Sequence, residues 1–156
     1  MVILEVETGR KHEVVIGPVE SKDFRKLTKK RYFFNWKEEK DQELYKLRRV
    51  DDSEILGLVS FERIPSEWRI HIRLLTVSFE NKGTEKQYEG VVGNLITYVA
   101  REALKDFGEM GCVSLIPKSK LAHHYMDKYG MRQTGVTLSV ELPEILELLT
   151  RYDHEK

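Results

Sequence analysis

The chain has 156 residues and a mass of 18.4 kDa, the size of one globular domain with little room for a second. Its 26 Lys and Arg balance 26 Asp and Glu, so no net basic field draws the whole molecule to nucleic acid or to an anionic membrane. At 40% hydrophobic and 33% charged it can fill a core and coat a surface, which excludes a disordered chain. The lone Cys112 excludes an intramolecular disulfide, and with no Cys cluster beside His a zinc centre is not expected. The opening MVILEVETGRKHE is broken by Glu5 and Glu7, unlike a secretory signal, and no run of about 18 apolar residues occurs. The expectation is a single domain over residues 1–156, cytoplasmic, with no metal, no nucleic-acid partner and no membrane partner.

In chain order, residues 2–7 and 13–17 read as short strands. Residues 20–31 read as a basic helix with Phe24 and Leu27 on its apolar side. From residue 44, LYKLRRV, ILGLVSFERI and WRIHIRLLTVSF read as three successive strands joined by the tight turns DDSE and PSE, an antiparallel meander. After the polar loop ENKGTEKQYE a long helix follows, with Val92, Leu95, Ile96, Val99, Ala103 and Phe107 at helical spacing and Asn94, Arg101 and Lys105 facing away. CVSLIP reads as a buried strand, and a strand–helix–strand unit pairs its strands in parallel, so the sheet is mixed. SKLAHHYMDKYG is a short helix stopped by Gly130, residues 131–142 supply one or two strands, and Pro143 opens a last helix. The fold class is α+β.

The segment from Gln87 to Leu95 carries the most chemical information. It places Gly90 and Gly93 at the start of a helix directly after a strand and loop. Free amides in a first helical turn, with the positive end of the helix dipole, make a seat for a phosphate or pyrophosphate. The same pair of glycines would also serve simply to ease entry into the helix. No Lys-Ser or Lys-Thr follows them as in a P-loop, and no parallel strand unit precedes them. Three groups offer themselves as proton acceptors: Glu80 after the fourth strand, Glu62 on the third and His71 within the fourth. His123 and His124 point about 100° apart on a helix and cannot chelate one ion together. Residues 22–31 hold six basic and one acidic residue and run into Tyr32, Phe33, Phe34, Asn35 and Trp36. Basic residues followed by aromatics suit contact with RNA or an acidic peptide; the favoured reading is that the lysines are a solvated helix face with the aromatics packed beneath it.

The order of elements and the Gln87–Leu95 segment together resemble the GCN5-related N-acetyltransferases, over about residues 44–142, and within them a subgroup of uncharacterised bacterial members. Gln87, Gly90 and Leu95 match the family's motif at the turn into its long helix, with Val92 in the second small position. AHHYMDKYGM resembles the family's later helix, with Tyr125 five residues before Gly130. The resemblance implies a mixed, mostly antiparallel central sheet of six to seven strands flanked by helices. It implies direct acetyl transfer from acetyl-CoA, used as cosubstrate, to a small-molecule or protein amine, by a monomer or homodimer. Its implied cofactor contacts are Val77, Gln87, Gly90, Val91, Val92, Gly93, Asn94, Lys118 and Lys120. Tyr125 would protonate the departing thiolate, Glu80 would take the amine's proton, and Tyr32, Phe34 and Trp36 would touch the acceptor. The alternative is a catalytically silent member of the fold that acts as a binding or interaction module.

Overall fold

The strands expected from residue 44 onward are all present in the computed structural model, which describes residues 1–117, 122–134 and 137–152. Nine strands lie among these residues: β1 Val2–Glu5, β2 Lys11–Pro18, β3 Glu43–Arg49, β4 Ile55–Ile64, β5 Arg69–Val77, β6 Tyr88–Glu89, β7 Cys112–Leu115, β8 Arg132–Thr134 and β9 Thr137–Val140. Four α-helices accompany them: α1 Lys29–Tyr32, α2 Val91–Phe107, α3 Ala122–Tyr129 and α4 Leu142–Tyr152. The hydrogen-bonded strand order is β6-β1-β2-β3-β4-β5-β7-β9-β8, so the class is α+β, with more strands than the six to seven expected. The additional pieces are β6, two residues that pair with Leu4 and Glu5 of β1, and the division of residues 131–142 into β8 and β9. A two-residue strand leaves no alternation to read. No helix among the described residues is long and apolar enough to cross a membrane.

The chain forms two compact units, Met1–Ser60 with Leu74–Leu95, and Phe61–Arg73 with Ile96–Lys156. In the first unit the helix expected over 20–31 is broken into a 3-10 turn at Ser21–Arg25 and the short α1. The cause is polar. Asp23 is buried, and its carboxylate accepts from the Glu20 amide at 2.8 Å and from Lys46 Nζ at 2.6 Å, which ties the turn to β3. Thr28 then adopts an extended backbone and caps α1, its Oγ1 accepting from Arg31 N at 3.3 Å. Beneath these turns Leu27, Tyr32, Trp36, Leu44, Ile55 and Leu58 form one buried cluster, joined by the partly buried Phe34 and Leu74.

α2 buries Leu95, Ile96, Val99 and Ala103 as its spacing predicts. Asn94, expected on the outward face, is instead 0% exposed. The start of α2 approaches β4 at Gly57, where a Cβ would stand 2.6 Å from Val91 Cγ1 and 2.9 Å from Leu95 Cδ1. In the second unit β5 and β7 pair in parallel from Arg69↔Cys112 to Ile72↔Leu115, and β7 pairs antiparallel with β9. Ile70, Val113, Leu138, Val140, Ile145 and Leu148 make its core. Arg63 grips the outer side of α2 through Glu102 at 3.1 Å and Asp106 at 2.5 Å.

Gly57→Ala should destabilise the fold by about 1–3 kcal/mol, because the added methyl overpacks a closed contact; urea denaturation measures this, with the m-value unchanged. Burial raises the Asp23 pKa, but the Lys46 hydrogen bond, the Glu20 amide and the Lys46 charge outweigh it, and the net shift is below the ordinary value of 3.8. A carboxylate lowered on folding stabilises above its unfolded pKa, and that stability is lost as pH falls through the folded one. Stability should therefore drop as pH falls below 3.8. Asp23→Asn should lack this component when unfolding is followed at each pH.

Candidate functional site

Within the first unit, the stretch from Val77 to Asn94 is shaped by two asparagines. Asn81 is buried in a 3-10 turn, Phe79–Asn81. Its Nδ2 donates to Ser78 Oγ at 2.8 Å, and its Oδ1 accepts from the Tyr88 amide at 2.9 Å. The loop is closed further by Gln87 N donating to Glu80 O at 3.0 Å, while Gln87 O accepts from Val6 N. The chain then passes through Gly90 at φ +99°, a backbone that side chains rarely adopt. Gly90 O accepts from the Asn94 amide at 3.0 Å and begins α2. Asn94 Nδ2 donates to Gly90 O at 2.7 Å and to Val2 O at 2.8 Å, while its Oδ1 is buried without a partner. Val91 and Val92 therefore present first-turn amides that have no acceptor inside the helix. A Cβ built on Gly90 would stand in ordinary contact, 3.6 Å from Asn94 Nδ2 and 3.7 Å from Val2 O, so the positive φ rather than crowding is what favours glycine there.

Beside this turn stands an ion-pair cluster. Arg31 Nε donates to Glu80 Oε1 at 3.1 Å and to Oε2 at 3.5 Å, and its Nη2 lies 3.0 Å from Oε1. The same Nη2 also pairs with Glu54. One guanidinium thus serves two carboxylates, one from the turn before β4 and one from the turn after β5. Phe33 follows at φ +72°, its ring stacked against the exposed Phe79 at 6.5 Å, with Lys82 Nζ 4.3 Å over its face. Of the aromatics expected to touch an acceptor, Tyr32 and Trp36 lie in the core at 1% and 0% exposure. The Tyr32 hydroxyl donates to Ile55 O at 2.7 Å and the Trp36 indole to Tyr32 O at 3.0 Å. Burial pushes the Tyr32 pKa up to about 12. Phe34 is half-buried against Trp36.

In the second unit Tyr125 is half-buried on α3, its ring 6.0 Å from His124 and 5.8 Å from Tyr129, and burial raises its pKa. On the polar side of β5 and β7, His71 Nδ1 lies 2.9 Å from Ser114 Oγ, which also takes a hydrogen bond from Arg69 Nη1 at 3.1 Å. Burial, then the Arg69 charge, lowers the His71 pKa. Burial pushes the Cys112 thiol up, which leaves it a poor nucleophile. Among the described residues, no group of three His, Cys, Asp or Glu side chains gathers as metal ligands.

Val77, Glu80, Gln87, Gly90, Val91, Val92, Gly93 and Asn94 thus lie along one turn and its flanks. Lys118 and Lys120 lie outside the described residues. Sequence reasoning missed Arg31 as the partner of Glu80, because it counted Arg31 with a solvated basic run. It also passed over Asn81 and Ser114, short polar residues whose roles depend on what the fold brings to them.

No protein-family model matches the chain, and none of the curated proteins compared with it matches its sequence. Solved structures match in fold. Mutant forms of the spermidine/spermine N-acetyltransferase from Vibrio cholerae superpose with a TM-score of 0.64 at 11% identity, covering 86% of this chain and 97% of that one. A nucleotide-linked sugar member of the GCN5-related class gives 0.63 at 13% identity, covering 90% and 93%. The N-acetylglutamate synthase from Neisseria gonorrhoeae, solved with coenzyme A and L-arginine, gives 0.61 at 12% identity, covering 84% of this chain and 34% of that longer one. The chain has the GCN5-related N-acetyltransferase fold.

Proposed function

We propose that the protein is an acetyl-CoA-dependent N-acetyltransferase that passes the acetyl group directly to an amine. The observation that carries the reading is the entrance to α2. Gly90, at φ +99°, leads into the first turn of α2, where the Val91 and Val92 amides have no acceptor within the helix itself. Such a turn suits the pyrophosphate of coenzyme A, because backbone N–H groups and the helix dipole hold negative charge without a basic side chain. In this reading Gln87, Val91, Val92, Gly93 and Asn94 flank the phosphates, with Lys118 and Lys120 as further contacts, and the Val77 amide donates to the oxyanion. Acetyl-CoA supplies the acyl group as a thioester. Tyr125, kept protonated by its raised pKa, is suited to give a proton to the departing sulfur. Glu80 can take the amine's proton only after leaving Arg31, while Phe34 lies at the edge of the cluster that Tyr32 and Trp36 fill.

That engagement of Glu80 favours a second reading, a silent acetyltransferase fold that binds coenzyme A without turnover. Calorimetric titration with acetyl-CoA, followed by thiol release with an amine panel, separates the two. Heat with turnover supports the enzyme, heat without turnover the binding module, and no heat at millimolar ligand overturns both. Gly90→Val should lower affinity about tenfold or more, a loss of roughly 1.4 kcal/mol, while retaining the parent's circular dichroism. Unchanged affinity would contradict the placement of the pyrophosphate.

A further inference from the structure

β6 is only two residues long and lies at the edge of the sheet, so its backbone pairing with Leu4 and Glu5 of β1 gives it little hold of its own. Side chains supply the rest. Glu5 stands opposite Tyr88, Ile3 opposite His12 and Val14 opposite Arg49, and strand alternation therefore puts all of them on one face of the first unit's sheet. Across that face Arg49 on β3 reaches over β2 and β1 to β6, and its Nη1 donates to the Tyr88 hydroxyl at 3.1 Å. Asp51 aims the guanidinium, its two oxygens accepting from Nε at 2.9 Å and from Nη2 at 2.7 Å, which leaves Nη1 directed at Tyr88. The His12 ring stands edge-on at 5.8 Å from the Tyr88 ring, and Asn81 Oδ1 accepts from the Tyr88 amide at 2.9 Å. Tyr88 is thus buried and held at its ring, its amide and its hydroxyl.

Resting on the placement of coenzyme A at the α2 entrance, we propose that Arg49 is a positioning residue for that site: acting through the Tyr88 hydroxyl, it sets where Gly90 and the first amides of α2 stand, and so how tightly the coenzyme is held. Tyr88 precedes Gly90 by two residues, and the hydrogen bonding of α2 begins at the Gly90 carbonyl, which accepts from the Asn94 amide at 3.0 Å. A shift of β6 along β1 carries Gly90 with it. Backbone donors hold an anion only when they point at it with hydrogen-bond geometry, so a small displacement of this turn weakens binding although no contact to the ligand is removed. The Arg49 charge is already paired with Asp51. Its action on the coenzyme is therefore geometric rather than a long-range attraction for phosphate.

Tyr88→Phe keeps the ring and removes only the oxygen that Arg49 bonds. Titration with acetyl-CoA should show the Kd raised about tenfold, and hydrogen exchange at the Val91 and Val92 amides should quicken in the free protein. Arg49→Met should do the same, and the double variant should lose no more than either single one, because the two side chains act as one unit. With an amine that the parent turns over, the KM for acetyl-CoA should rise while kcat at saturating acetyl-CoA keeps the parent's value. Parent affinity in Tyr88→Phe, losses that multiply in the double variant, or a kcat that falls along with the affinity overturns the assignment and leaves coenzyme binding standing. The parent protein gives a further measurement that depends on no variant folding. Saturating acetyl-CoA should slow the exchange of the Arg49 Nη protons with water, because coupling between two sites is reciprocal, and unchanged exchange contradicts the assignment. A parent that takes up no acetyl-CoA at millimolar concentration overturns the coenzyme reading and this assignment with it.

Discussion

The entrance to α2 depends on a side chain that is absent. At Gly57 the surface of β4 is bare, and Val91 and Leu95 close to distances no Cβ would tolerate, with Thr76 O also only 3.2 Å away. Val91 is the first residue of α2, so this contact fixes where the helix starts and therefore where its first amides stand. Asn94 adds the second restraint, bonding the same turn to Gly90 O and to the start of β1 at Val2 O. Each such bond contributes on the order of 0.5–1.5 kcal/mol net. Their larger effect is geometric, because the turn is gripped from the sheet and from the chain's own first strand.

Much of this was legible in the sequence, because long elements repeat their signal. β4 and β5 are rich in branched and aromatic residues over ten and nine positions, and α2 carries its apolar stripe for 17 residues. The failures share a physical cause, which is that a distant partner overrides a local pattern. The run over 20–31 has helical spacing, yet the pairing of Asp23 with Lys46 on β3 breaks it. Asn94 reads as polar and outward, yet its amide is paid for by carbonyls at positions 2 and 90. β6 exists because β1 is there to pair with it. In the candidate site the glycine turn was visible, whereas the engagement of Glu80 by Arg31 spans 49 positions and leaves no local trace.

The formal charge of zero also takes on local meaning. The basic segment before α1 is not a uniform cationic face: Asp23 inside it neutralises Lys46, and Arg31 at its end is shared by two carboxylates. Exposed pairs such as Arg132 with Glu141 contribute little to stability. The pair of the buried Asp23 with the half-buried Lys46 instead fixes which turn meets which strand, since separating it would leave the Asp23 carboxylate buried without its cation.

The bond from Asn94 to Val2 O has a consequence for the order of folding. It joins residues 92 positions apart, and the β1–β6 pairing beside it is nearly as remote. Contacts of such separation require most of the intervening chain to be arranged before they repay the entropy of closing the loop. The α2 entrance is thus assembled late, after the local hairpins from β3 to β5 have formed. Because β6 is only two residues long and lies at the sheet's edge, amide protons at this turn exchange by local opening, well before those of α2's buried middle.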